Sequence, residues 1–295
     1  MIENIVEKQT GFVDSFDGNT LYYETRGRGT PIFFLYGIVC TTNHWRHQLR
    51  YFSQSHQTIV MDYRGHHKSP KPPRLSDLRI EALARDAKAV LDHLQIKQAA
   101  FVGHSFGVPV MIRAYDIFPE IFSSMVALNG FARSPIRPPW SAFFNRSFFE
   151  KVKIAYETMP ETFNYLWKTA VNNPLAMRFS ALAGGFNPQL TSFRDLEIYA
   201  SGVAGVDLDV FIELFNDMVQ FDGRPTLERV RVPALVIGGQ GDTVTPLSLQ
   251  KEICQGIPGC EFLSVPYGTH CTQLDMPEFV NLKIEQFLRN VETPK

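Results

Sequence analysis

Apolar residues come in two arrangements along this chain. Near its start, Phe12-Val13-Asp14-Ser15-Phe16 and Leu21-Tyr22-Tyr23-Glu24-Thr25 alternate in character across Asp17-Gly18-Asn19, which predicts two half-buried antiparallel strands joined by a hairpin turn. After residue 31 the alternation gives way to unbroken apolar runs at 32–35, 58–61, 99–102, 124–128, 234–237 and 262–265. Strands of a parallel sheet read this way, because helices cover both faces.

Helical periodicity separates most of these runs. The clearest case starts at Ser76-Asp77 and continues through Leu83, Ala87, Val90, Leu91 and Leu94 with charges on the opposite face, a crossover between parallel strands. Another runs from Phe106 to Phe118 with Val110, Met111 and Ala114 at helical spacing, and two more follow Pro246 and Pro277, residues suited to a first helical turn. The alternation predicts an α/β fold, a mostly parallel doubly wound sheet flanked by helices.

That alternation fails between residues 133 and 229, where no parallel-strand run appears and aromatics are dense. An inserted helical cap at 133–229 over a core of 1–132 and 230–295 accounts for the break. Trp140, Phe143, Phe144, Phe148 and Phe149 are spaced for one helical face, and Tyr156, Phe163, Tyr165, Trp167 and Phe179 follow. Most such residues fill a cap's own core and its contact with the main domain. Trp140, Phe144 and Trp167, with Tyr36 from the core, are the candidates for lining a substrate pocket. The same aromatic face is a candidate for meeting lipid or a second copy in a homodimer, although such faces are commonly internal.

Composition narrows the partners. With 44% hydrophobic and 20% charged residues over 295 positions the chain can bury a large core. A formal charge of -1 without a lysine or arginine block offers nothing to nucleic acid. The N-terminal Met1-Ile2-Glu3-Asn4-Ile5-Val6-Glu7-Lys8 has neither the basic start nor the apolar run of a signal peptide, and no stretch is apolar for long enough to span a bilayer. A cytoplasmic protein without an integral membrane segment is expected, acting on a small molecule. Cys40, Cys254, Cys260 and Cys271 form no Cys-x-x-Cys pair, so neither a disulfide framework nor a metal site is expected, and all four read as buried thiols.

The chemistry concentrates at Ala99-Ala100-Phe101-Val102-Gly103-His104-Ser105-Phe106-Gly107. Gly-x-Ser-x-Gly alone is common, and a serine there can merely cap a helix. Here a buried strand runs straight into a helix, so the turn is tight, glycines let the backbones approach, and the hydroxyl is thrust outward beside free N–H groups. A serine hydroxyl needs a base, normally an imidazole oriented by a carboxylate. The strand in Pro233-Ala234-Leu235-Val236-Ile237 exits through glycines to Asp242, and the last strand delivers His270 on the loop before Pro277. Ser105, Asp242 and His270 are the candidate catalytic residues. The Phe106 N–H is a candidate oxyanion donor.

The chain order Ser105, Asp242, His270 is that of the α/β-hydrolases. The sequence resembles the cap-bearing members of that fold family, related to bacterial esterases, epoxide hydrolases and haloalkane dehalogenases, over nearly its whole length and least in the cap. The family's His-Gly after the third strand is similar to Tyr36-Gly37-Ile38, which implies Ile38 as the second oxyanion donor; Tyr36 departs from the pattern, but the donor is backbone. Asp62-Tyr63-Arg64-Gly65-His66-His67-Lys68-Ser69 resembles the family's Asp-x-Arg-Gly-x-Gly-x-Ser loop, with His67 replacing a glycine. His104 resembles the family's supportive histidine rather than a base, and Asp92-His93 falls in the crossover helix. Some relatives carry the acid where this chain has Asn129, which cannot serve as a carboxylate. That favours Asp242 over the weaker Asp207 and Asp209.

Epoxide hydrolases and dehalogenases use an aspartate nucleophile, so Ser105 implies instead a serine hydrolase cleaving carboxylic esters of small to medium apolar substrates, without a cofactor. Lactone opening, carbon-carbon bond hydrolysis and perhydrolysis share every one of these motifs; a ligand-binding protein with a vestigial triad is the weaker alternative, because the triad and the oxyanion loop are both complete in the sequence.

Overall fold

The computed structural model describes residues 6–136, 146–173 and 185–292. Its strands are β1 (Lys8–Asp14), β2 (Thr20–Arg26), β3 (Pro31–Leu35), β4 (Gln57–Met61), β5 (Ala99–His104), β6 (Phe122–Leu128), β7 (Ala234–Gly239) and β8 (Glu261–Val265). They form one sheet in the order β1-β2-β4-β3-β5-β6-β7-β8. β2 pairs antiparallel with β1 and β4; every later neighbour is parallel. The first strand of the hairpin starts and ends earlier than its alternation suggests: Asp14 pairs with Thr20, and Ser15–Asn19 closes the turn through a 2.9 Å bond from Ser15 N to Asn19 O.

The helices are α1 (Arg46–Phe52), α2 (Ile80–His93), α3 (Gly107–Ile117), α4 (Arg146–Thr158), α5 (Pro160–Val171), α6 (Phe193–Ala204), α7 (Leu208–Gln220), α8 (Leu247–Gly256) and α9 (Pro277–Glu292). α1 packs on α9, while α2 packs on α3 and α3 on β3, β5 and β6, and the central parallel strands are buried on both faces. Phe33, Phe101 and Phe122 stack across the centre, with ring centroids 5.4 Å and 4.0 Å apart. Burying such rings stabilises by about 1.5–3 kcal/mol each. α2 begins at Ile80 rather than at Ser76-Asp77. Leu75–Asp77 makes a separate 3-10 turn, and the Asp217 carboxylate accepts the Ile80 N–H at 2.8 Å, holding the start of the helix there.

α4 to α7 all lie between β6 and β7 in the chain. Phe149 and Tyr156 of α4 pack with Ile212 of α7. α6 rests on the 3-10 turn Thr42–Trp45 that follows β3, and α7 reaches α2. These helices therefore lie over the loops leaving the central strands. Trp140, Phe143, Phe144 and Phe179 fall outside the described residues. Cys40 and Cys271 are buried, whereas Cys254 and Cys260 are only half-buried because they stand at the outer end of α8 and the adjoining turn.

The chain runs from β3 outward to β4 and returns to β5 on the other side of β3. At such a reversal the loops leaving neighbouring strands diverge and open a crevice at their C-terminal ends. Here those ends carry Tyr36-Gly37-Ile38 and Ser105.

Candidate active site

The turn after β5 is tight because two glycines permit it. A Cβ on Gly103 would lie 2.9 Å from the Gly107 carbonyl oxygen, and one on Gly107 would collide with the Leu35 carbonyl. Ser105 between them is left-handed, at φ 51°, a conformation that costs a non-glycine residue about 1–3 kcal/mol and persists only where its surroundings impose it. Its N–H is held by Leu128 O at 3.1 Å, and α3 starts two residues later.

From the end of β8, His270 reaches Ser105, with Nε2 2.9 Å from Oγ. On the other edge of the ring Nδ1 lies 3.1 Å from Asp242 Oδ2. Asp242, beyond β7, also accepts from Asn129 Nδ2 and Gln250 Nε2, each at 3.0 Å, and from the N–H groups of Val244 at 2.9 Å and Thr245 at 2.8 Å. Burial pushes this carboxyl up, but the His270 charge and these donors outweigh it and hold the group below the usual carboxylate range. An acceptor-only carboxylate directs Nδ1–H toward itself, which leaves the Nε2 lone pair facing the Ser105 hydroxyl.

The His270 backbone is fixed from two sides. Thr269 donates through its N–H at 2.7 Å and its hydroxyl at 2.6 Å to Asp275, and His104 Nε2 donates to the His270 carbonyl at 2.8 Å. His104 Nδ1 lies 3.0 Å from His44 Nε2. Burial drives His104 down to about 3, so it is neutral, with its proton on Nε2 and its Nδ1 lone pair accepting from His44.

The loop after β3 approaches Ser105 closely: a Cβ on Gly37 would stand 3.4 Å from Ser105 Cβ. Gly37 O accepts from Cys40 N at 3.2 Å, and Val39 within this turn is left-handed at φ 51°, rare for a β-branched residue. Ile38 lines the same cavity as Ser105 and His270, and neither its N–H nor that of Phe106 has an acceptor among the described residues.

Several expected neighbours lie elsewhere. Tyr36 is fully buried beneath the loop, its hydroxyl accepting Tyr63 N–H at 2.8 Å, and it lines no described cavity. The shape of the turn sends its ring into the core under the sheet's rim. Trp167 lines a second cavity beside the one at Ser105. Asp207 and Asp209 pair with Lys71 at 2.9 Å and 2.8 Å, away from His270. His66 donates to Arg64 O at 3.1 Å and His67 to Cys40 O at 3.1 Å, while His93 meets the Tyr23 hydroxyl at 3.1 Å. Sequence reasoning missed Gln250, Thr245, His44, Phe186 and Tyr199 around the site. Gln250 alone had a local signal, a polar residue on the apolar face of α8.

A family model for the alpha/beta hydrolase fold matches residues 30–277. The chain belongs to the α/β-hydrolase fold family. Similar members include 3-oxoadipate enol-lactonase 2 of Acinetobacter baylyi, 26% identical over 274 residues, covering 91% of this chain and 93% of that one. A protein of Azorhizobium caulinodans provisionally named a carbamate hydrolase is also 26% identical over 274 residues, covering 92% and 96%. A thermophilic esterase from Thermogutta terrifontis shares the fold at a TM-score of 0.76 and 21% identity, over 97% of this chain and all of that one. Family and relatives together support a hydrolase on this α/β-hydrolase scaffold. Among the described residues, no helix is long and apolar enough to cross a membrane.

Proposed function

We propose that this protein is a serine hydrolase that cleaves carboxylic esters through an acyl-enzyme. The observation that carries the reading is the continuous line from Ser105 Oγ through His270 to Asp242, at 2.9 Å and 3.1 Å. Ser105 attacks the carbonyl carbon while His270 Nε2 takes its proton, and Asp242 stabilises the imidazolium that results. The N–H groups of Ile38 and Phe106 receive the negative oxygen; each donor of this kind is worth about 3–4 kcal/mol to the transition state. His270 then protonates the departing alcohol, and water brought in on the same base releases the acid.

Residues 133–229 act in this reading as a cap. Phe186, Phe211, Phe215 and Met218 line the cavity at Ser105 together with Phe131 and Ile136, which suits apolar ester groups. Lactones are the second reading, favoured by the similarity to the enol-lactonase; ring opening uses the same residues, with the alcohol remaining tethered to the product.

A panel of p-nitrophenyl esters and lactones, run against wild type and Ser105→Ala, tests the proposal. Turnover that disappears in the variant, with a fluorophosphonate labelling only the wild type, is expected. Equal rates in both proteins would sink it.

A further inference from the structure

Beside the cavity at Ser105 lies a second and larger one. The first is about 240 Å³ and the second about 410 Å³. Ile38, Phe186, Tyr199 and Phe211 line both and so form the partition between them. Beyond this partition the walls are Val39, Trp167, Ala170, Val171, Leu196, Ala200 and Val203.

No charged side chain is among these lining residues. The two polar side-chain groups present are already engaged: the Tyr199 hydroxyl with the Cys40 thiol, and Trp167 Nε1–H with Val206 O at 3.1 Å. Among the described residues a group entering this chamber finds no free polar partner, so against these walls a carboxylate or ammonium would be desolvated without compensation.

The position of the chamber selects which half of an ester it serves. The departing alcohol must lie within proton reach of His270 Nε2. Neither His270 nor its neighbours Val244 and Thr245 line the chamber, although all three line the cavity at Ser105. Ile38 lines both and carries an N–H assigned to the carbonyl oxygen, so a substituent passing along its side chain leaves the carbonyl on the side away from His270. That substituent is the acyl chain.

Resting on the serine-hydrolase reading, we propose that the chamber binds the acyl part of the substrate, an uncharged and unfunctionalised hydrocarbon chain, and that small alcohols leave past Val244. A cavity of about 150 Å³ accommodates benzene, so this chamber takes a chain on the order of ten carbons. The substrate class is therefore medium-chain acyl esters of small alcohols, with ω-carboxylated chains rejected.

The test is a p-nitrophenyl ester series from acetate to palmitate, below micelle-forming concentrations, together with the hemi-ester of sebacic acid, which has ten carbons and a terminal carboxylate. kcat/KM is expected to climb by about three- to fourfold per methylene, the factor for burying one CH₂, to a maximum near decanoate, with the sebacate hemi-ester at least about 100-fold poorer. Ala200→Phe, which fills the chamber, should lower the decanoate-to-acetate ratio at least about tenfold, and Trp167→Ala, which enlarges it, should move the optimum to longer chains. An optimum at acetate, equal rates on decanoate and its carboxylated counterpart, or a profile unmoved by either variant would overturn the inference.

A binding measurement separates this inference from the reading beneath it. Dodecan-3-one, the uncleavable isostere of methyl decanoate, should quench tryptophan fluorescence in Ser105→Ala, with the signal lost in Trp167→Phe. Quenching without turnover of any ester would retain the chamber and overturn the hydrolase reading. Turnover without quenching or chain-length preference would do the reverse.

Discussion

His104 Nε2 donates a 2.8 Å hydrogen bond to the backbone carbonyl of His270. The residue beside Ser105 in sequence thus holds the main chain of the residue that faces Ser105 in space. Removing it should let the His270 loop relax without emptying the substrate cavity. His104→Ala is expected to lower kcat by about 10–100-fold with KM nearly unchanged, since misplacing a base by about 1 Å costs on that order. His104→Asn, which restores a donor, should recover part of the loss; steady-state kinetics on one ester reads the split. A rise in KM at constant kcat would show that His104 acts on binding instead.

Asp242 should matter through the tautomer it imposes. Asp242→Asn preserves shape but can turn an N–H toward Nδ1, which places the proton on the edge facing Ser105. A fall of about 10⁴-fold in kcat is expected from this mechanism. Ser105→Ala and His270→Ala should each cost at least about 10³-fold, and the double variant little more than either alone, because these residues act as a unit. Additive losses would argue that they work independently.

Mild acid should destabilise this fold, above the pH range in which ordinary carboxylates titrate. His44, His66 and His104 are buried and held below the ordinary histidine value, the last two down to about 3, chiefly because burial disfavours the imidazolium. The unfolded chain protonates these groups near pH 6.5, so stability falls as pH drops from about 6.5 toward 3, by about 1.4 kcal/mol per pH unit for each uncompensated proton. Asp62 opposes this: burial pushes it up to about 7, so the penalty it imposes on the fold at neutral pH is relieved as pH falls from about 7 toward its unfolded value near 4. Burial also raises Asp86 and Asp217 and lowers His47 and His67, so five histidines stand against three carboxyls. Asp242, held low, contributes stability that is lost only as pH falls below about 4. Urea midpoints at pH 7.5 and 5.0 should differ clearly, with the lower at pH 5.0; equal midpoints would contradict the assignment.

Arg64 is fully buried and bidentate to Asp86, through Nε at 2.8 Å and a terminal nitrogen at 2.6 Å, and it reaches Asp17 at 2.7 Å. The Ser15 hydroxyl completes the cluster on Asp86 at 2.5 Å. Asp86→Ala leaves a buried guanidinium with Asp17 and the Asp77 carbonyl alone and should cost about 3–5 kcal/mol in chemical denaturation. Replacing both partners, as Arg64→Met with Asp86→Leu, should cost distinctly less. A double variant as unstable as the single one would show that packing, not charge, is what Asp86 supplies.

Much of this fold is legible along the chain itself. The parallel strands stood out because a strand covered on both faces is apolar throughout, and α3 and α8 because their apolar spacing is helical. The convergence of Ser105, Asp242 and His270 was legible because a serine, a carboxylate and an imidazole beyond the ends of β5, β7 and β8 leave a local signature of glycines and loop residues. The start of α2 was misplaced because its cap comes from Asp217, more than a hundred residues away. For Tyr36 the sequence offers two places, a hydroxyl near the cleft or a ring packed beneath the loop, and the turn decides for the second by directing the ring onto Tyr63, with centroids 4.3 Å apart.

The sequence by itself determined the order of strands and helices, the serine turn and the three residues that converge, because hydrophobic periodicity and turn chemistry act between near neighbours. Only the tertiary structure decided what supports them and what they face. Asn129 and Gln250 on the Asp242 carboxylate, His44 behind His104, and the apolar chamber shared by Ile38, Phe186, Tyr199 and Phe211 are contacts between elements distant in the chain. Buried polar groups take whatever partners the packing brings within reach, and a cavity is defined by several segments at once, so neither leaves a pattern along a single stretch of sequence.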